Sequence, residues 1–458
     1  MTGALQAKRN TRIFAWAVYG VIFAASLVLF AHPDIVETAN HARILLDCIF
    51  SGRFLDFYEV VAAHENSFYY INGANYNIAL YLVFALWELP VYLVGKIFSV
   101  AVGEQFMWLW AKALPALCGV ANALLIGRLV RAAGVPENGG EAAWALLLNP
   151  LAFFIPTVMG QYETICILAV LLALFFYMRG DMVRFCALMG VAALFKSFAL
   201  LIVVPMLLLA DKKLLPVLRD LALCAAPTLL TGLLFRGRMA DAPIFSNEMI
   251  GRLFEKTLWE RAPVFPLLLA AACVYCWLRR TPEKGRALLK AAADIGLFVF
   301  AVFVFTVVWH PQWLYLFVPF WVLSVYLGDN RTPYYYLAPI TAAGAFLASW
   351  YVAAGHLEAN LFYFGALSKD FGAPTILTYL RESVPLYCLA LALLYAALGG
   401  VLTAYMPFGG RSLADRAADG GVTPVYKNGR LWLWADFVLG CGFWACGVFL
   451  CLYFSGTL

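Results

Sequence analysis

The sequence predicts an all-α polytopic membrane protein with about 11–14 transmembrane or re-entrant helices and amphipathic surface helices in its first extracytoplasmic loop. Three observations carry this expectation. Of 458 residues, 64% are hydrophobic and 13% charged, against about 45–50% apolar and about 25% charged in soluble domains. Apolar residues run continuously over stretches such as 165–177, unlike the short alternating segments of a β-barrel. Basic residues gather in short groups between the apolar runs: Lys8, Arg9 and Arg12; Lys212, Lys213 and Arg219; Arg279, Arg280, Lys284, Arg286 and Lys290; and Arg411, Arg416, Lys427 and Arg430. The positive-inside bias assigns these groups to the cytoplasmic face. So divided, the net charge of +5 points to membrane lipid and not to nucleic acid.

Along the chain, residues 1–12 form a cytoplasmic tail ahead of a first apolar run at 13–32. That run has no small-residue cleavage site, so it is an anchor and not a removed signal. The stretch 33–75 sets six acids (Asp34, Glu37, Asp47, Asp56, Glu59, Glu65) against two bases, Arg43 and Arg53. This balance predicts an outer loop, and its interspersed apolar residues (Ile44, Leu45, Cys48, Ile49, Leu55, Phe57) fit helices lying on the membrane surface. Further apolar runs cover 77–99, 106–127, 142–158, 163–178, 184–196, 197–210 and 216–235. Asn149-Pro150 and Pro156 predict that 142–158 is broken or re-entrant, which places Gly160–Glu163 outside. A second outer loop at 236–262 precedes runs at 263–278, 291–309, 313–328, 334–353, 384–405 and 431–455. Between the last three lie a third outer loop, 354–383, and a cytoplasmic loop, 406–430, and the C-terminus ends outside. No internal repeat is visible, so residues 1–458 constitute a single membrane domain. Cys273-x-x-Cys276 has redox or zinc spacing, but it falls inside an apolar run without a nearby histidine, and the cysteines fit packing thiols.

Four polar stations interrupt this pattern. Asp34, directly after the first run and backed by Glu37, suits a general base at the membrane boundary; an aspartate there also suits the cap of a helix beginning near Ile35. Lys196 stands between two apolar runs, where insertion costs about 2.5–3.5 kcal/mol unless a partner is supplied. Glu163 is one such partner and a lipid phosphate another. In Trp309-His310-Pro311-Gln312-Trp313 the tryptophans fit an interfacial belt. His310 fits either a hydrogen-bond donor to a phosphate or sugar, or a solvated ring. Arg236 and Arg238 run against the positive-inside bias, which an anionic headgroup or substrate explains, as does solvation beside Asp241 and Glu248. No HExxH, P-loop, dinucleotide fingerprint or nucleophile elbow is present, so no metal or other cofactor is expected.

Taken in order, these stations resemble the GT-C superfamily of integral-membrane glycosyltransferases, most nearly the dolichyl- or polyprenyl-phosphate-sugar-dependent glucosyltransferases of N-glycan precursor assembly. Asp34 stands where that family has its first-loop catalytic aspartate, with Glu37 as the following acid and Arg43 as the downstream arginine. Gln161-Tyr162 matches a Gly-x-x-Gln-Tyr-Asn type motif, with Glu163 in place of Asn. Phe195-Lys196, Ala199-Leu200 and Pro205 follow a Phe-Lys…Ala-Leu…Pro stretch. His310 matches the histidine of a His-Glu-Lys loop, ahead of an apolar run ending in Pro319. Pro311-Gln312 replaces Glu-Lys, so a cation beside the donor phosphate has to come from Arg236, Arg238 or Arg381. The resemblance spans residues 30–320 and leaves the last three runs without a counterpart.

The resemblance implies a polyprenyl-phosphate sugar donor, an outer-face glycan, lipid or protein acceptor, inversion at the anomeric carbon and no essential metal. It implies Asp34 as base and Lys196, His310, Arg236 and Arg238 at the donor phosphate. Glu37, Arg43, Gln161, Tyr162, Glu163 and Gln312 would line the substrate. The residues by themselves also admit a secondary transporter or lipid flippase, or a lipid-linked glycan polymerase or ligase. A transporter would usually show repeats and midplane charges, whereas the polar stations here gather toward one predicted face.

Overall fold

Lipid offers the backbone no hydrogen-bond partner, so a chain this apolar resolves into helices joined by turns. The computed structural model describes residues 2–64, 73–236, 247–259, 261–307, 310–352, 384–407, 412–419 and 429–454. In chain order the helices begin with α1 (Thr2–Leu29), α2 (Pro33–Phe50), α3 (Phe57–Ala63), α4 (Ile78–Phe98) and α5 (Glu104–Ala132). Next come α6 (Gly139–Leu147) and α7 (Pro150–Phe153), the latter continued by a wider π-type turn, Phe154–Met159. Then follow α8 (Glu163–Tyr177), α9 (Met182–Phe195), α10 (Leu200–Ala210), α11 (Leu214–Leu234) and α12 (Asn247–Glu255). A two-residue antiparallel pair, β1 (Thr257–Leu258) with β2 (Ala262–Pro263), leads into α13 (Val264–Leu278). The chain closes with α14 (Arg286–Thr306), α15 (Val318–Leu327), α16 (Thr332–Val352), α17 (Val384–Tyr405), α18 (Leu413–Asp419) and α19 (Gly429–Phe454).

Among the described residues, five helices of 18 residues or more are apolar enough to cross a membrane: α4, α5, α11, α14 and the Cys388–Tyr405 part of α17. Two bent pairs pass the same test jointly. Ile13–Leu29 turns 73° into α2, and α6 turns 67° into the Pro150–Met159 segment. The second bend lies where Asn149-Pro150 predicts a break. Pro150 has no N–H to continue the preceding helix, and Asn149 Oδ1 instead caps the next one, accepting from the Leu151 and Ala152 amides at 3.1 and 3.2 Å. The third predicted outer loop, 354–383, and most of the loop 406–430 lie outside the described residues.

The first bend differs in detail from the sequence expectation. Helix α1 begins at Thr2, within the predicted tail, and ends at Leu29. Asp34 is not the cap of the next helix. Pro33 occupies the first helical position, where its missing N–H costs nothing, and the cap is His32, whose Nδ1 accepts the Asp34 amide at 3.2 Å. The Asp34 carboxylate is thereby released from capping. Helix α2 then runs beside α4 in the same direction, with His41 against Tyr81 (5.4 Å between rings), Phe50 stacked on Tyr92 (5.7 Å) and the Tyr92 hydroxyl donating to Asp47 at 2.5 Å.

Helices α14 and α15 lie at the centre of the bundle. Gly296 of α14 packs so closely on Phe320 of α15 that an added Cβ would stand 2.2 Å from the ring. Gly296→Ala is expected to destabilise by about 1–3 kcal/mol through overpacking. A melting curve of the detergent-solubilised protein checks this, and an unchanged midpoint would mean that the Phe320 ring yields freely. Close by, the buried Asp294 accepts from Lys290 (2.5 Å) and Ser324 (2.6 Å), so its charge is matched where water is excluded.

Two further devices tie the bundle together. The Lys212 ammonium donates to the last carbonyls of α10 and α13, at Leu208 and Cys276 (2.6 Å each). Burial there pushes the amine below the ordinary lysine value. At the other end of the chain, α19 lays aromatic rings across α1, α6 and α7. Phe437 meets Tyr19 (6.4 Å) and Phe153 (5.0 Å), while Trp444 sits between Phe30 (5.0 Å) and Phe154 (5.1 Å).

Candidate active site

The polar stations named from the sequence stand at helix ends, and the fold brings several of them together. Gly160 ends the π-type turn with φ +80°, a left-handed conformation that suits glycine. It also has no room for a side chain: a Cβ would lie 2.7 Å from Lys112 Cγ and 3.3 Å from Ile35 Cβ. This close approach aims Gln161 at the start of α2. Gln161 Nε2 donates to Asp34 Oδ2 at 2.7 Å and stands 3.4 Å from His32 Nδ1. Gln161 and His32 are buried, while Asp34 keeps 29% of its side chain exposed. Because His32 Nδ1 already accepts an amide proton, its 3.5 Å approach to Asp34 Oδ1 follows from the cap and is not an ion pair.

Two residues further on, Glu163 opens α8, where the helix dipole favours an acid. Its carboxylate is fully buried and lies 3.1 Å from the Lys196 ammonium. Lys196 breaks the α9–α10 segment in an extended conformation (φ −149°, ψ 118°), which turns its side chain away from the helix run. The partner left open by the sequence is therefore Glu163. Lys196 also donates to the Tyr76 hydroxyl at 3.4 Å and faces the rings of Tyr76 (4.9 Å) and Tyr162 (5.5 Å). Such an aromatic cage favours a cation. Tyr76 is itself held on both sides of its peptide, by Tyr58 donating to its carbonyl (2.9 Å) and by Tyr81 accepting its amide (3.2 Å).

The His310 group forms a neighbouring cluster. Arg252 Nη1 lies 3.2 Å from His310 Nε2, and the His310 ring meets Trp313 at 4.9 Å. Trp313 in turn contacts Phe198, two residues after Lys196, at 4.9 Å. Gln312 is buried on the same turn, and its Oε1 accepts no hydrogen bond among the described residues.

Other predicted residues are placed elsewhere. Arg43 on α2 supplies the positive field at Glu88, a buried carboxylate of α4. Glu37 is half-buried within electrostatic reach of Tyr81. Arg236 is exposed just past α11, and its guanidinium makes no hydrogen bond or ion pair among the described residues. Arg238, Arg381, Trp309, Glu65 and Asp241 lie outside those residues. The ten cysteines with described positions are free, Cys273 and Cys276 included. Among the described residues no three His, Cys, Asp or Glu side chains gather as a metal group.

Sequence reasoning missed Tyr76 and Lys112, and marks Arg252 only as one of the basic residues of the second outer loop, with no link to His310. Lys112 was within reach, because a single lysine in the apolar run 106–127 obeys the same rule that singled out Lys196. Tyr76 and Arg252 join the site through contacts across 120 and 58 residues of chain, and no local pattern marks them.

Fold and site together define an integral, multi-pass, α-helical membrane protein with a polar cluster built at the ends of its helices. No protein-family model matches the chain, nor does any curated protein sequence. Among solved structures, the crystal structure of ArnT from Cupriavidus metallidurans in the apo state aligns at a TM-score of 0.40 and 17% identity, over 91% of this chain and 79% of that one.

Proposed function

We propose that this protein is a GT-C-type glycosyltransferase that moves a sugar from a polyprenyl-phosphate carrier to an acceptor hydroxyl on the extracytoplasmic face, inverting the anomeric carbon, with Asp34 as general base. One observation carries the reading: Asp34, released from helix capping, meets Gln161 at 2.7 Å, two residues from the buried Glu163–Lys196 pair. Residues 127 positions apart that the motif order singles out as a set are thus neighbours in space.

In this reading the acceptor O–H gives its proton to Asp34 as its oxygen bonds to the anomeric carbon. The bond from that carbon to the phosphate oxygen breaks, and polyprenyl phosphate leaves with the electron pair. Gln161 fixes one carboxylate oxygen of Asp34, so the base is oriented before substrate arrives. Lys196, His310, Arg236 and Arg238 are assigned to the departing phosphate, where each charge-assisted contact would strengthen as negative charge develops. Glu37, Arg43, Tyr162, Glu163 and Gln312 serve the substrate or support those that do. The apolar bundle gives the polyprenyl tail a place to lie.

The test is direct. The purified protein in lipid nanodiscs is incubated with a panel of polyprenyl-phosphate sugars and candidate acceptors, and release of polyprenyl phosphate is followed by mass spectrometry. Release with one donor class, giving a product of opposite anomeric configuration, is expected. No release with any donor, together with substrate movement across proteoliposomes, would replace the enzyme with a transporter.

A further inference from the structure

Helix α5 touches three segments beside the polar stations, those ahead of Asp34, after Glu163 and after His310, and each contact is a hydrogen bond from or to a buried position. Lys112, fully buried, donates from Nζ to Ser26 O (2.8 Å), to Leu27 O (2.9 Å) and to Phe30 O. Three acceptors around one nitrogen use three N–H bonds, the number an ammonium has and a neutral amine lacks. The acceptors lie in the last turn of α1 and just past it, where the helix dipole is negative. The three carbonyls thus offer an ammonium its full set of acceptors without a carboxylate. The stem of the same side chain fills the space beneath Gly160, 2.7 Å from where a Cβ would be.

Three residues along α5, the Pro115 carbonyl accepts from Thr164 Oγ1 at 2.9 Å. Asn122 then donates to Thr164 O (3.0 Å) and to the Tyr315 hydroxyl (3.1 Å). Thr164 follows Glu163, and Tyr315 belongs to the turn after His310. A further close approach, Gly119 against Pro156, leaves a Cβ only 3.2 Å from the proline ring, so α5 and the π-type turn cannot slide apart or together without cost.

We propose that α5 is the positioning element of the site, and that Lys112 sets the reach of Asp34 to Gln161 by clamping the end of α1 from one side and seating Gly160 from the other. Lys112 is a positioning residue: it acts through Asp34 and touches no reacting atom. The inference rests on the transferase reading only in its kinetic arm.

The structural arm is hydrogen exchange by mass spectrometry in nanodiscs. Lys112→Met is expected to speed exchange at least about 10-fold in peptides covering 30–36 and 160–165, while peptides from α14 and α15 stay unchanged; Lys112→Arg, which keeps donors and charge, is expected to restore most of the protection. Should Lys112→Met fail to fold, Thr164→Val serves instead, and is expected to speed exchange at 161–167 and not at 30–36. Unchanged exchange in these peptides, or a uniform rise across the protein, overturns the proposal.

In the kinetic arm, Lys112→Met lowers kcat about 100-fold, the scale of a misplacement near 1 Å, with KM for the donor within about threefold. A raised KM at unchanged kcat overturns it. If the wild-type protein transfers no sugar, the functional reading falls while hydrogen exchange still decides the positioning role.

Discussion

Asp34→Asn is expected to lower sugar transfer by about 10²- to 10⁴-fold, the range that general-base catalysis supplies, with little loss of stability. The substitution is nearly isosteric, and asparagine retains a carbonyl oxygen to accept the Gln161 N–H that now lies 2.7 Å from Asp34 Oδ2. The His32 cap bonds the backbone amide of residue 34 and not its side chain, so α2 starts as before. What disappears is basicity. Transfer is measured in nanodiscs beside a melting curve and size-exclusion profile of the same sample. A variant that keeps its transfer rate removes Asp34 as the base, and one that loses both rate and fold shows that the carboxylate is structural.

The second large effect concerns Lys196. Lys196→Met leaves Glu163 as a fully buried acid without its cation, and a pair broken in this way typically loses about 3–5 kcal/mol. Loss of activity in the single variant would therefore say nothing about phosphate binding. Adding Glu163→Gln removes the stranded charge, and most of the stability is expected to return. Polyprenyl phosphate is then titrated against both backgrounds. Glu163→Gln alone frees the ammonium and is expected to tighten phosphate binding. The stable double variant is expected to weaken it about 10-fold or more, in line with a charge-assisted hydrogen bond to an anion. Equal affinity in the wild type and the double variant would reduce Lys196 to a partner of Glu163.

Much of the fold was legible because the solvent imposes it. A membrane demands long uninterrupted apolar runs, and the predicted runs at 77–99, 163–178 and 384–405 fall within a residue or so of α4, α8 and α17. The broken run was legible for a local reason, since Asn149-Pro150 both removes a donor and supplies a cap. Capping at α2 was misread because aspartate is the commoner cap and proline is favoured one position inside the helix; at His32-Pro33-Asp34 the second preference wins. That Lys196 needs a partner was legible from cost alone, whereas the choice of Glu163 over a phosphate was not. The His310 environment was not, because Arg252 reaches it from an amphipathic segment of ordinary composition. Nor was the role of α5, whose Lys112 bonds carbonyls 82 to 86 residues earlier in the chain.

The aromatic clasp of α19 has a consequence for biosynthesis. Trp444 wedges between Phe30, two residues ahead of the residue that caps α2, and Phe154, in the turn that delivers Gln161. A nascent chain can insert its earlier spans in order, yet both halves of the Asp34–Gln161 contact lack this aromatic brace until α19 has been made and has docked. Assembly of the polar centre is thereby coupled to a helix far from it in sequence.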